Sequence, residues 1–148
     1  MTNIEHFLKE SDKLEVVQTI KAMEKRTTGE IVVRIEANCP EDSIARAQQV
    51  FKQLYIDQTA ARNGVLLYIA VEDHCFAVLG DEGINSKVEE CFWDDVCIIL
   101  GDYFAQSEYG KGIIAAVEKI GEQLALYFPE NREPGADINE LPDEISFG

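Results

Sequence analysis

Carboxylates dominate the side chains that could do chemistry. Asp81 and Glu82 follow one apolar stretch, Asn63 precedes another, and Glu89, Glu90 and Asp94 come soon after. Carboxylate, amide and backbone carbonyl oxygens are the ligand set of calcium or magnesium. Calcium accepts about six to eight such oxygens in irregular geometry, which suits loops. The spacing Asp81-x-Gly83-x-Asn85 matches only the start of an acidic calcium loop. The twelfth position counted from Asp81 is Phe92, so the bidentate glutamate of an EF-hand is missing. Glu36, Glu72, Asp73 and His74 form a second acidic set. The alternative for both sets is a solvated acidic surface.

Other chemistries find less. Cys39, Cys75, Cys91 and Cys97 contain no Cys-x-x-Cys pair, so neither a zinc nor a redox motif is present. Four reduced thiols are expected. His6 and His74 lie far apart in sequence and make no metal pair or triad. Gly110-Lys111-Gly112 precedes a helix but lacks the Walker glycine spacing. Glu90 and Asp94, four apart on an expected helix, could hold a cation or simply face water.

Charge narrows the partners. Twenty-eight acids against 13 bases give −15. Such a surface repels nucleic acid and anionic lipid, and attracts cations and basic partners. Hydrophobic residues are 46% and charged residues 28%, which fits a globular domain and not a disordered or collagen-like chain. No apolar run approaches the roughly 20 residues of a membrane span. Met1–Glu10 has neither a basic start nor an apolar core, so a cytoplasmic location without a secretory signal is expected.

The elements that must position these groups read in the order αβαββαα. Residues 11–26 have a helical apolar face, with Asp12 and Glu15 as a capping pair. Residues 30–37 are dense in β-branched side chains and read as a strand. Pro40 opens a second helix to about Tyr55. Residues 64–71 are almost continuously apolar, the mark of a strand buried on both faces. Residues 75–80 complete a hairpin across Glu72-Asp73-His74. Residues 81–86 read as a loop, and Ser86 with Glu89 as the capping box of a third helix to about Phe104. A fourth helix spans 110–128 and stops at Pro129. A domain over 1–128 is followed by an extended acidic tail over 129–148, which Leu141, Ile145 and Phe147 could dock.

A strand buried on both faces needs cover on both faces. The expected fold is therefore α/β, a three-layer α/β/α sandwich on a small mixed central sheet. The first two strands form a βαβ unit and run parallel, and the third is antiparallel. Direction then sorts the acids. Glu36, Glu72 and Asp73 fall where the parallel strands end. Asp81 and Glu82 fall at the opposite end, beside Gly29 and the loop 57–63. The longer loops lie at the Asp81 end, which makes it the favoured site.

Several stretches are similar to one family: Thr28-Gly29-Glu30-Ile31-Val32-Val33, Arg62-Asn63-Gly64-Val65-Leu66-Leu67-Tyr68-Ile69-Ala70 and Phe76-Ala77-Val78-Leu79-Gly80-Asp81-Glu82-Gly83-Ile84. Ser107-Glu108-Tyr109-Gly110-Lys111-Gly112-Ile113 and the run from Asn139 to Gly148 add to them. In order and spacing the chain resembles the TPM domain family, in a single-domain bacterial branch. The resemblance implies an α/β/α sandwich and divalent-cation binding, mainly calcium with magnesium possible, in loops at one end of the sheet. It also implies weak metal-dependent acid phosphatase activity in some members. Many members have Asp-Asn-Gly before the buried strand, where this chain has Arg62-Asn63-Gly64. Many have Gly-Tyr-Gly after the third strand, where this chain has Gly80-Asp81-Glu82-Gly83. A family aspartate early in the third helix matches Glu89 loosely. The metal ligands expected are Asp81, Glu82, Asn63, Glu89 and Asp94. The expected function is a calcium-binding domain acting through a protein partner, without nucleic acid or membrane insertion. The alternatives are a weak phosphatase and a metal-free acidic interaction module.

Overall fold

The computed structural model describes residues 7–39, 41–130 and 144–148. Two helical layers enclose a four-stranded sheet. The strands are β1 (Glu30–Glu36), β2 (Gly64–Ala70), β3 (Cys75–Gly80) and β4 (Ser146–Phe147), in the order β3-β2-β1-β4. β1 and β2 are parallel from Glu30↔Gly64 to Glu36↔Ala70, and β3 returns antiparallel from Ala70↔Cys75 to Val65↔Gly80. Every residue of β2 is buried. Its alternating side chains serve two cores, as the period of two requires. Val65, Leu67 and Ile69 face helices α1 (Glu10–Glu24), α4 (Phe92–Ala105) and α5 (Tyr109–Tyr127). Leu66, Tyr68 and Ala70 face α2 (Ser43–Gln53) and the 3-10 turn Ile56–Gln58. The expected sandwich on a mixed sheet is the one observed.

The details differ where capping decides. Residues 81–86 are not a loop. Asp81 accepts a hydrogen bond from the Glu82 amide and caps a one-turn helix, α3 (Glu82–Asn85). Ser86 therefore ends a helix and cannot start one: its hydroxyl donates back to the Gly83 carbonyl at 3.2 Å. The next helix begins only at Phe92, after a turn in which the Phe92 amide reaches the Glu89 carbonyl. Glu89 and Glu90 thus precede α4, and Glu90 is no helical partner of Asp94. α1 begins at Glu10 after Lys9, with no side-chain cap, so Asp12 lies inside its first turn. α2 is capped by Asp42, which accepts from the Ala45 amide at 3.2 Å; Pro40 lies outside the described residues.

β4 was not legible as a strand. It pairs parallel with β1 through Arg34↔Ser146 and Ile35↔Phe147. Ile145 and Phe147 pack against the core on the α1 side, and Lys13 stands 5.5 Å from the Phe147 ring centre. Leu141 lies outside the described residues. Among the described residues, no helix is long and apolar enough to cross a membrane.

Phe147→Ala removes a half-buried ring and should cost about 1–3 kcal/mol, below the full cost of a wholly buried phenylalanine. Thermal melting should fall by several degrees. Leu126→Ser, at an exposed position of α5, should leave melting nearly unchanged.

Candidate functional site

The strand register brings the ends of loops together. Gly80 lies opposite Val65, so the residues after β3 meet the residues before β2. Asp81 and Arg62 are thereby joined by a two-point fork: Nε to Oδ2 at 2.7 Å and Nη2 to Oδ1 at 2.9 Å. The third guanidinium nitrogen, Nη1, donates to Glu82 Oε1 at 3.3 Å. Asp81 is buried, at 6% exposure, while the Glu82 side chain is largely in water. A planar guanidinium matches two carboxylate oxygens at once, which makes this the strongest type of charged hydrogen bond.

Local backbone geometry holds the fork in place. Arg62 has a positive φ of 51°, a conformation that a bulky residue rarely adopts. It is kept there from both sides. The Arg62 amide donates to the Thr59 carbonyl at 3.2 Å, and the Asn63 amide to Thr59 Oγ1 at 3.2 Å. The Gly83 amide donates to the Arg62 carbonyl at 2.8 Å. A Cβ at Gly83 would collide with the carbonyl oxygens of Ala61 and Arg62, so only glycine permits this approach. Asn63 is buried, and its Nδ2 donates to Thr28 Oγ1 at 3.3 Å, tying this loop to the entry of β1.

A cleft of about 450 Å³ opens beside the fork, lined by Phe51, Lys52, Asp57, Arg62, Leu79 and Asp81 among others. The expected ligands divide here. Asp81, Glu82 and Asn63 share this end of the sheet. Glu89 and Asp94 are exposed, in the turn before α4 and in its first turn. Among the described residues, no three or more His, Cys, Asp or Glu side chains form a group able to hold a metal. Asn85 is engaged elsewhere, accepting from Trp93 Nε1 at 2.8 Å. The element missing from the acidic reading is the role of Arg62. Its signal was available: an arginine just before β2 sits across an antiparallel pair from an acid just after β3.

The opposite end is differently built. Glu36 ends β1 and is 4% exposed. Arg46 Nε and Nη2 donate to its two oxygens at 2.8 and 2.7 Å, Arg34 Nε donates at 3.0 Å, and the Tyr68 hydroxyl at 2.9 Å. Burial by itself would raise this carboxyl, but the hydrogen bonds from Arg46, Arg34 and Tyr68 outweigh it and lower it from 4.5 to about 2. Nearby, Asp73 at the hairpin tip accepts from the Cys39 amide at 2.6 Å. Burial pushes the Cys75 and Cys97 thiols up, so neither is an activated thiolate.

The sequence profile of the TPM domain matches residues 1–123. The chain belongs to the TPM domain family. Its fold is similar to the NMR structure of the BA42 protein from the psychrophilic bacterium Bizionia argentinensis. Identity is 41%, all of both chains is covered, and the TM-score is 0.89. Two solution structures resemble this TPM domain in fold alone, each at 13% identity. The N-terminal domain of the cg2496 protein from Corynebacterium glutamicum covers 90% of this chain and 81% of its own, with a TM-score of 0.64. The N-terminal domain of a protein from P. gingivalis covers 86% and 83%, with a TM-score of 0.68. A comparison with curated proteins returned no match.

The Glu36 cluster of this TPM domain predicts a pH signature. A carboxyl lowered from 4.5 to about 2 contributes about 3 kcal/mol. Because the folded value lies below the unfolded one, that contribution is complete above about pH 4.5 and fades as pH falls toward 2. Glu36→Gln should therefore be less stable than the parent at pH 7. The gap should narrow steadily below pH 4.5 in denaturant titrations.

Proposed function

We propose that this TPM domain is a non-catalytic binding domain. It takes a divalent cation, calcium in preference to magnesium, at the Asp81 end of the sheet and acts through a protein partner. The observation that carries the reading is Asp81 itself, a buried carboxylate on the wall of an open cleft. Other oxygen donors lie at the same end of the sheet: Asp57 on the cleft wall, Glu82 paired with Arg62, and the backbone carbonyls of Ala61 and Arg62 near Gly83. Their chemistry fits a hard cation with irregular coordination. The position beside Asp81 is held by the Arg62 guanidinium, so the fit requires that arginine to turn away. Its side chain is 43% exposed and has room in the cleft to do so. Glu89 and Asp94, exposed on the same segment of chain, would add long-range attraction rather than direct ligation. Bound calcium would neutralise the carboxylates and cross-link the loop before β2 to α3. The net charge of −15 favours a basic surface on the partner.

Metal-assisted phosphomonoester hydrolysis is the second reading. It needs a cation clamp on the phosphoryl group and a nucleophile in line with it. Arg62 is engaged by two carboxylates, and the buried acid at this cleft is one half of its ion pair.

Calcium at roughly 100 times its dissociation constant should stabilise the protein by about 2.7 kcal/mol and raise melting by several degrees. Asp81→Ala should abolish that rise, whereas Asp73→Ala should retain it. Equal melting of the parent in calcium and in chelator would leave the metal-free interaction module. With calcium, magnesium or manganese, hydrolysis of an aryl phosphate should stay below about one turnover per second. Faster turnover that disappears in Asp81→Ala would establish the hydrolase.

A further inference from the structure

We infer that the outer edge of β1 is a peptide-reading groove: residues 144–148 fill it as an internal ligand, and an extended segment of a partner protein with the pattern aliphatic, serine, aromatic, glycine takes their place. The groove is built without Asp81, and the inference does not depend on calcium. Contacts along the edge read four consecutive residues. Ile145 and Phe147 lie against the apolar core beside α1. Lys13 stands 5.5 Å from the Phe147 ring centre, a contact that an aromatic side chain makes and an aliphatic one does not. Ser146 meets Arg34 instead, whose Nη1 donates to its hydroxyl at 2.9 Å. The Gly148 amide donates to the Ile35 carbonyl at 2.9 Å. A Cβ at Gly148 would collide with the Arg34 guanidinium. That guanidinium does not swing aside freely, because Glu36 holds its Nη2 at 2.9 Å and its Nε at 3.0 Å. Backbone pairing with pockets for alternate side chains is the way an added strand is recognised.

The internal ligand is weakly held, and the groove stands without it. β4 pairs with β1 through Arg34↔Ser146 and Ile35↔Phe147 alone, and Ile145, Ser146 and Phe147 are all only partly buried. So short an edge opens locally at a far smaller cost than unfolding the domain. β1 does not need β4 for its own shape. It pairs with β2 along all of Glu30–Glu36, Arg34 is fixed by Glu36, and the Ile31 amide donates to Glu24 Oε2 at 2.8 Å. Release of residues 144–148 therefore leaves the recognition groups in position. As part of the same chain, those residues compete at an effective concentration on the order of millimolar. A partner segment is admitted only if it matches the groove well enough to displace them.

The test is titration of the full chain with a synthetic peptide, Glu-Ile-Ser-Phe-Gly, followed by calorimetry and amide NMR in the presence of chelator. The parent is compared with Phe147→Ala and Gly148→Val. Both substitutions loosen the internal ligand and leave every groove residue unchanged. Each variant should bind the peptide at least about tenfold more tightly than the parent, with shifts centred on Arg34 and Ile35. The peptide should also return the melting of Phe147→Ala toward that of the parent. Peptides with alanine in place of phenylalanine, or valine in place of glycine, should not bind. Retained amide shifts across β2 certify that each variant is folded, and either variant alone carries the comparison. Equal peptide affinity in all three proteins would overturn the internal ligand. Absence of heat and of β1 shifts in both variants at millimolar peptide would overturn the groove. Dimerisation of the parent by exchange of β4, seen in sedimentation, would assign the groove to a second copy and overturn the partner reading. Because calcium is excluded, each of these failures leaves the cation reading standing.

Discussion

A carboxylate removed from water has to be matched by donors, and Glu36 is matched from three elements of the fold. Its oxygens collect Arg46 from α2, Tyr68 from β2 and Arg34 from its own strand, and Arg34 in turn reaches Ser146 of β4 at 2.9 Å. One buried charge thus fixes the helix on one face of the sheet, the neighbouring strand and the added edge strand. Removing one partner of such a cluster leaves a charge or donor stranded, which typically costs about 3–5 kcal/mol. The central strands supply most of the apolar burial, but the cluster decides how α2 and the chain's end sit upon them.

The two ends of the sheet use ionic pairing for opposite purposes. At the Glu36 end the pairs are buried and every oxygen is satisfied, so nothing remains for a ligand. At the Asp81 end the acid is buried but its arginine is not. With its arginine half-exposed, this pair is screened by water more than the Glu36 cluster is. That difference, rather than the number of acids, sets the two ends apart: the Asp81 pair borders an open cleft.

β4 shows how a marginal element is made by its surroundings. Two residues do not form a strand alone, because the chain entropy lost exceeds the few hydrogen bonds gained. Here the edge of β1 offers a ready template, Phe147 finds the apolar core beside α1, and Ser146 meets Arg34. The edge of β1 at Arg34 and Ile35 is covered as a result, which shortens a surface prone to pairing with other chains.

Hydrophobic periodicity determined the three long strands, the four long helices and their layering, because an all-apolar β2 between two amphipathic sets of helices permits little else. The resemblance in Arg62–Ala70 and Phe76–Ile84 was likewise legible, and the family match bears it out. Strand direction sufficed to place Asp81, Glu82 and Asn63 at one end. Capping was less legible: Ser86 and Glu89 spell a helix start, yet Asp81 five residues earlier had already begun one. The order of claims on a hydrogen bond depends on where the backbone turns, and local sequence does not contain that. Only the tertiary structure decided that Arg62 closes a two-point fork on Asp81 and that the last residues join β1. Both are contacts between segments distant in sequence, set by strand register and by packing, and neither leaves a periodic trace along the chain.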